Sequence, residues 1–172
     1  MAQVIYAPQS AKILSCLQYQ EKSNDCGPFT TATVLNALRN VNLNAIQLAQ
    51  EMNRPVWRGP LFIVRRVPNW ATFPWGIVDI LRSYGLQASW GLFRSKDYLR
   101  QSLGSGTILM PVIGSWKPLW AHVMTLVAWD EEKGWGFANT QYNHHEIDWH
   151  PDESFIRQWK AMGRILIEII NS

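Results

Sequence analysis

Cysteine is scarce in this chain, at 2 residues in 172. That is too few for a disulfide scaffold, so a fold of this size must be held by an apolar core. Charge is also sparse and nearly balanced, with 16 Lys and Arg against 13 Asp and Glu. Such a balance gives no nucleic-acid footprint, and the densest basic group, Arg54, Arg58, Arg65 and Arg66, reads as solvated loop. No apolar run is long enough to span a bilayer, and residues 1–8 carry neither a basic start nor an export-length apolar stretch. The expectation is a cytoplasmic protein without membrane attachment. Linkers, repeats and low-complexity segments are missing too, so residues 1–172 read as one domain.

What the chain does contain is a cysteine in an unusual setting. The run Gln20-Glu21-Lys22-Ser23-Asn24-Asp25-Cys26-Gly27-Pro28 leads directly into a helical pattern over 29–39. The first turn of a helix presents unpaired N–H groups and the positive end of the macrodipole, both of which favour a thiolate. Gly27 leaves the approach to the sulfur uncrowded, and Pro28 suits a first turn, where a missing N–H costs nothing. Gln20 is placed to reach back and, with the Cys26 N–H, donate to an oxyanion formed when sulfur attacks a carbonyl. The competing reading is a packed structural cysteine, and that is the reading we give Cys16 within Ile13-Leu14-Ser15-Cys16-Leu17.

A thiol nucleophile needs a base. Residues 120–129 are apolar and β-branched enough to form a buried strand with His122 near its start. A lone strand histidine is more often a satisfied core residue, but beside a helix-start cysteine it would hold the pair as thiolate and imidazolium. The turn-forming run 130–134 and a second strand over 135–139 bring Asn139 back toward His122, where its carbonyl can fix the ring tautomer. Asp130 lies eight residues along the same strand, about 26 Å away at roughly 3.3 Å per residue, and is too far. Asn139 as an ordinary turn residue is the bland alternative.

Gln20, then Asp25-Cys26-Gly27-Pro28, then a distant His122 and an amide one hairpin later, resembles the papain-like cysteine peptidases. It is similar to their compact branch, the bacteriocin-processing peptidase-like family. The resemblance runs from about Cys16 to Trp159. It implies a nucleophile at Cys26, a base at His122, an orienting group at Asn139 and an oxyanion donor at Gln20, acting on a peptide or protein substrate without cofactor. One departure is Asn139-Thr140 where the compact branch often has Asp-Pro; a neutral amide stabilises an imidazolium less, which implies a slower enzyme. An acyl transferase with the same triad and a non-catalytic peptide-binding domain are the alternative functions. Oligomeric state is left open.

The wider pattern is α+β. Helical spacing recurs after Asn44, over 77–84, from Ser95 to Gly104 and over 152–159, while strand-like runs fall at 107–113, 120–129, 135–139 and 164–170. The reading is an N-terminal helical half packed on a C-terminal antiparallel sheet, with the active site in the cleft between them.

Two features remain. Tryptophan is abundant, with 10 residues. Most such rings fill cores, but Trp75, Trp116 and Trp120, together with Gly27, are candidates for a substrate groove. The run Asn143-His144-His145-Glu146-Ile147-Asp148-Trp149-His150 superficially suggests a metal site. Adjacent histidines on an extended segment point to opposite faces, however, and we expect no metal there.

Overall fold

The computed structural model describes residues 3–170. In chain order the elements are β1 (Val4–Tyr6), α1 (Ser10–Ser15), α2 (Cys26–Arg39), α3 (Ala45–Met52), β2 (Val56–Arg58), β3 (Leu61–Ile63), β4 (Arg66–Val67), β5 (Ala71–Thr72), α4 (Pro74–Ser83) and β6 (Gln87–Gly91). They continue with α5 (Lys96–Gly104), β7 (Ile108–Trp116), β8 (Leu119–Val123), β9 (Thr125–Asp130), β10 (Gly134–Ala138), β11 (Asp148–His150), α6 (Asp152–Ala161) and β12 (Leu166–Ile170).

The expected helices form where capping chemistry allows. Asn44 accepts the N–H groups of Ile46 and Gln47 at the start of α3, Ser95 accepts Tyr98 N–H at the start of α5, and Pro74 opens α4. Asn40 closes α2 in the left-handed conformation. Helix α2 is the spine of the molecule. Residues from Gly27 to Ala37 are all buried, so no polar face exists, and two of its three threonines are absorbed by backbone carbonyls: Thr31 donates to Gly27 and Thr30 to Val123 across the interface.

Strands order as β11-β10-β9-β7-β12-β6 in one antiparallel sheet, with β1 paired to β9 and β8 to β7. Ile108 and Met110 face one core with Leu35, Ile77 and Leu81, while the alternate residue Leu109 faces a second core with Leu99, Phe155 and Trp159. The sheet is therefore covered on both faces, by α1–α4 on one and by α5 and α6 on the other. This corrects the expected pairing of a helical half with a sheet half. Residues from both ends of the chain enter the sheet, and its strands read as unbroken apolar runs because both faces are buried.

The strand expected over 120–129 is two. The register is unchanged across the gap, with Val112 facing Val123 and Leu109 facing Leu126. Pro111 has no N–H to offer opposite Met124, and the ladder is interrupted there.

The segment that carries the basic group, 54–74, folds into the hairpins β2–β3 and β4–β5. Arg54 and Arg58 are exposed, as expected of that basic group, but the other two are not solvated loop. Arg65 and Arg66 are buried; Arg65 pairs with Asp79 at 2.8 Å, an acid also held by Arg58 at 2.7 Å, and Arg66 pairs with Asp25. Burial pushes Asp79 up, but the hydrogen bonds and charges of Arg58 and Arg65 outweigh it and hold the carboxyl below its ordinary range. Removing one partner of such a buried pair costs about 3–5 kcal/mol. Composition could not show which arginines find acids. Among the described residues no helix is long and apolar enough to cross a membrane.

Candidate active site

Cys26 is the first residue of α2. Asp25 precedes it without capping the helix through its side chain, because its carboxylate is taken by Arg66. The backbone N–H groups of Val123, the residue directly after His122, and of Gly27 favour the thiolate form of Cys26. Burial dominates nonetheless and pushes the thiol above its ordinary value, against those N–H groups and the Arg66 charge. The sequence-based expectation of a depressed thiol is thus reversed. A helix terminus stabilises a thiolate by less than its loss of water costs.

His122 is the penultimate residue of β8 and is buried. Its Nε2 lies 2.8 Å from Asn139 Oδ1. The β9–β10 hairpin that delivers Asn139 pairs Ala138 with Thr125, and a bulge between Gly136 and Phe137 shifts the register on the way. Desolvation lowers the His122 pKa from 6.5 to about 4, with the His150 charge acting in the same direction and Asn139 and the Asp148 charge opposing. Asp130, the rival excluded on distance, has its carboxylate occupied by the N–H groups of Glu132 and Lys133 in the β9–β10 turn.

Gln20 is buried, and both ends of its side chain are engaged. Oε1 accepts from Thr140 Oγ1 at 2.5 Å and Nε2 donates to Ser23 O at 3.0 Å, while its backbone N–H bonds Thr140 O at 2.9 Å. Thr140, the residue after Asn139, therefore ties the end of β10 to the loop before Cys26. Sequence reading noted Thr140 only as a departure from Asp-Pro and missed this role.

Gln20, Cys26 and His122 line one cavity of about 320 Å³, which is also bordered by Trp70, Thr72, Ile77, Val112, Leu119, Trp120 and Gln141. Of the tryptophans singled out for a groove, Trp120 borders it. Trp75 does not; its Nε1 donates to Val64 O, and its ring stacks on Phe73 at 4.5 Å. Trp116 is 69% exposed and donates to Ala161 O, outside the cavity. Gly27 faces away from open space. A Cβ there would lie 2.5 Å from the Thr72 side chain, so the glycine admits the β4–β5 hairpin rather than clearing the sulfur.

The histidine-rich run disperses. His144 stacks on Tyr142, His145 Nδ1 contacts Leu14 O, and His150 Nε2 contacts Asp148 Oδ2. Among the described residues no group of three or more His, Cys, Asp or Glu is placed to hold a metal ion.

No protein-family model and no curated protein matches this sequence. The fold does have a counterpart. The chain superimposes on the crystal structure of a candidate C39-like peptidase from Bacillus anthracis with a TM-score of 0.72, covering 99% of this chain and 98% of that one at 14% sequence identity. The mixed helix-and-sheet architecture is thus that of a C39-like peptidase fold.

Proposed function

We propose that this chain is a single-domain cysteine peptidase, hydrolysing an amide bond through a thioester acyl-enzyme. The observation that carries the reading is one cavity shared by a helix-start thiol, a histidine held by an amide oxygen, and a glutamine locked by Thr140. The peptidase-type fold supports it.

Cys26 is the nucleophile. With the thiol pushed up and His122 pushed down, the resting pair is neutral. His122 Nδ1, the ring nitrogen not committed to Asn139, takes the thiol proton as sulfur attacks the substrate carbonyl. The transient imidazolium keeps its Nε2–H on Asn139 Oδ1. The oxyanion receives the Cys26 backbone N–H and the second N–H of the Gln20 amide, the first being held by Ser23 O. The imidazolium then protonates the leaving amine, and water, activated by the same nitrogen, releases the acid.

Mass-spectrometric screening of a peptide library for cleaved bonds tests this. Cys26→Ser and His122→Ala should each remove nearly all turnover without being additive, since they act as a unit. Gln20→Ala should lower kcat on the order of a hundredfold with KM little changed. Cleavage that persists in Cys26→Ser would refute the assignment. Products capped by an added amine would identify acyl transfer instead of hydrolysis.

A further inference from the structure

The hydrogen bonds around His122 do not end at Asn139. The Asn139 Nδ2 donates to Asp148 Oδ2 at 2.7 Å, and the same oxygen lies 2.8 Å from His150 Nε2. Asp148 and His150 stand two residues apart on β11, so both side chains project from one face of that strand, and β11 pairs with β10 immediately before Asn139. The Asp148 side chain is 19% exposed. A half-sequestered carboxylate therefore sits one residue behind the group that holds the histidine.

We propose that Asp148 is a positioning residue for the catalytic base, setting the orientation of the Asn139 amide and through it the tautomer of His122. This rests on the peptidase reading only for its consequence in catalysis. The chemistry is one of forced polarity. An ionised carboxylate can only accept, so the Asn139 edge facing Asp148 must be its NH₂, and the edge facing His122 must be its carbonyl. The Gln141 N–H, which can only donate, meets Asn139 Oδ1 at 3.1 Å and demands the same orientation. A carbonyl at His122 Nε2 requires that nitrogen to carry the proton, which leaves Nδ1 unprotonated for the thiol. A flipped amide would do the reverse, placing the base lone pair where no thiol can use it.

Asp148 also supplies the negative charge that Asn139 lacks. Burial raises its carboxyl, but hydrogen bonds from His150 and Asn139 and the charges of His150 and His144 outweigh that and keep it below its ordinary range. It is therefore ionised across the neutral pH range. Its charge opposes the desolvation of His122, whereas His150, when protonated, works against His122. The titratable groups facing His122 are Cys26 from α2 and Asp148 and His150 from β11.

Long-range proton–nitrogen NMR on ¹⁵N-histidine-labelled protein reads tautomer and titration of His122 without any substrate. In the wild type, Nε2 should carry the proton. Asp148→Ala, which leaves only the Gln141 N–H to hold the amide, should populate the other tautomer in part and lower the His122 titration midpoint. Asp148→Asn, which keeps the size and offers a carbonyl to Asn139, should hold the tautomer yet still lower the midpoint, and it guards against a failure of the alanine variant to fold. For a cleavable peptide, kcat should drop about tenfold in Asp148→Ala while KM stays near the wild-type value, and the acid limb of the rate profile should move to lower pH. An unchanged tautomer and midpoint in both variants would overturn the role of Asp148 and leave the peptidase reading standing. The predicted NMR changes in a protein that cuts nothing would do the opposite.

Discussion

Replacing Asn139 by Asp would seem to repair the departure from the compact peptidases, yet the structure argues that it damages this protein. An aspartate there would bring an oxygen to where Asn139 Nδ2 now donates, 2.7 Å from Asp148 Oδ2. Two carboxylates sharing that space cannot both ionise cheaply. At an effective dielectric near 20, unit charges about 4 Å apart repel by about 4 kcal/mol. The pair escapes part of this by keeping a proton, which raises one carboxyl well above its unfolded value at about 1.4 kcal/mol per pH unit of displacement. A raised folded-state pKa contributes stability below the unfolded carboxylate range near pH 4 and loses it as pH rises through the folded value. Relative to wild type, Asn139→Asp should thus be close to neutral at pH 4 and destabilised by about 2–4 kcal/mol at pH 8. For a chain of this length that is a fall of roughly 5–15 °C in Tm. Thermal unfolding of both proteins from pH 4 to 8 reads the difference directly. A variant whose Tm deficit is constant over that span, or shrinks as pH rises, would refute the reasoning. Adding Asp148→Asn should remove the pH-dependent part and leave a strongly non-additive cycle.

Two further outcomes follow from the same site. Because burial raises the Cys26 thiol and lowers His122 to about 4, alkylation of Cys26 by iodoacetamide should be slow at pH 6 and climb continuously toward pH 9; a rate already level between pH 5 and 8 would reveal a preformed ion pair and sink the neutral-pair mechanism. Gly27→Ala should cost about 1–3 kcal/mol from overpacking against Thr72, less whatever the helix gains from alanine, and Thr72→Gly in the same protein should recover part of the loss. Additive effects in chemical denaturation would show that the two sites do not touch.

The elements that announced themselves in the sequence were those with local signals. Cys26 at a helix start, the Asn44 and Ser95 caps, and the turn that returns the chain to Asn139 are written in short stretches, and the structure shows each in place. What escaped depends on partners far along the chain. Buried Arg65 and Arg66 are legible only once α2 and α4 place Asp25 and Asp79 beside them. Thr140 mattered through Gln20, 120 residues away. The direction of the Cys26 shift was misjudged because the helix terminus is a sequence feature and desolvation is not. Asp148 had a usable signal: it alternates with His150 on an extended run, the i, i+2 spacing that shares a face, which the adjacent His144 and His145 do not have.

The small β4–β5 hairpin is pinned at its base on both sides of Cys26, Arg66 to Asp25 and Thr72 against Gly27. Between these pins runs a short tip, with Asn69 in the left-handed region, its carbonyl taken by the Asn24 amide, and Trp70 bordering the cavity. Stem and tip are therefore separable, the one packed against the helix start and the other bordering open space. The stem bears on the helix start directly, through Asp25 on one side of Cys26 and Gly27 on the other. Exchange of Trp70 would reshape the mouth of the cavity without touching the contacts that hold the helix start, so the width of the opening and the position of the thiol can vary independently.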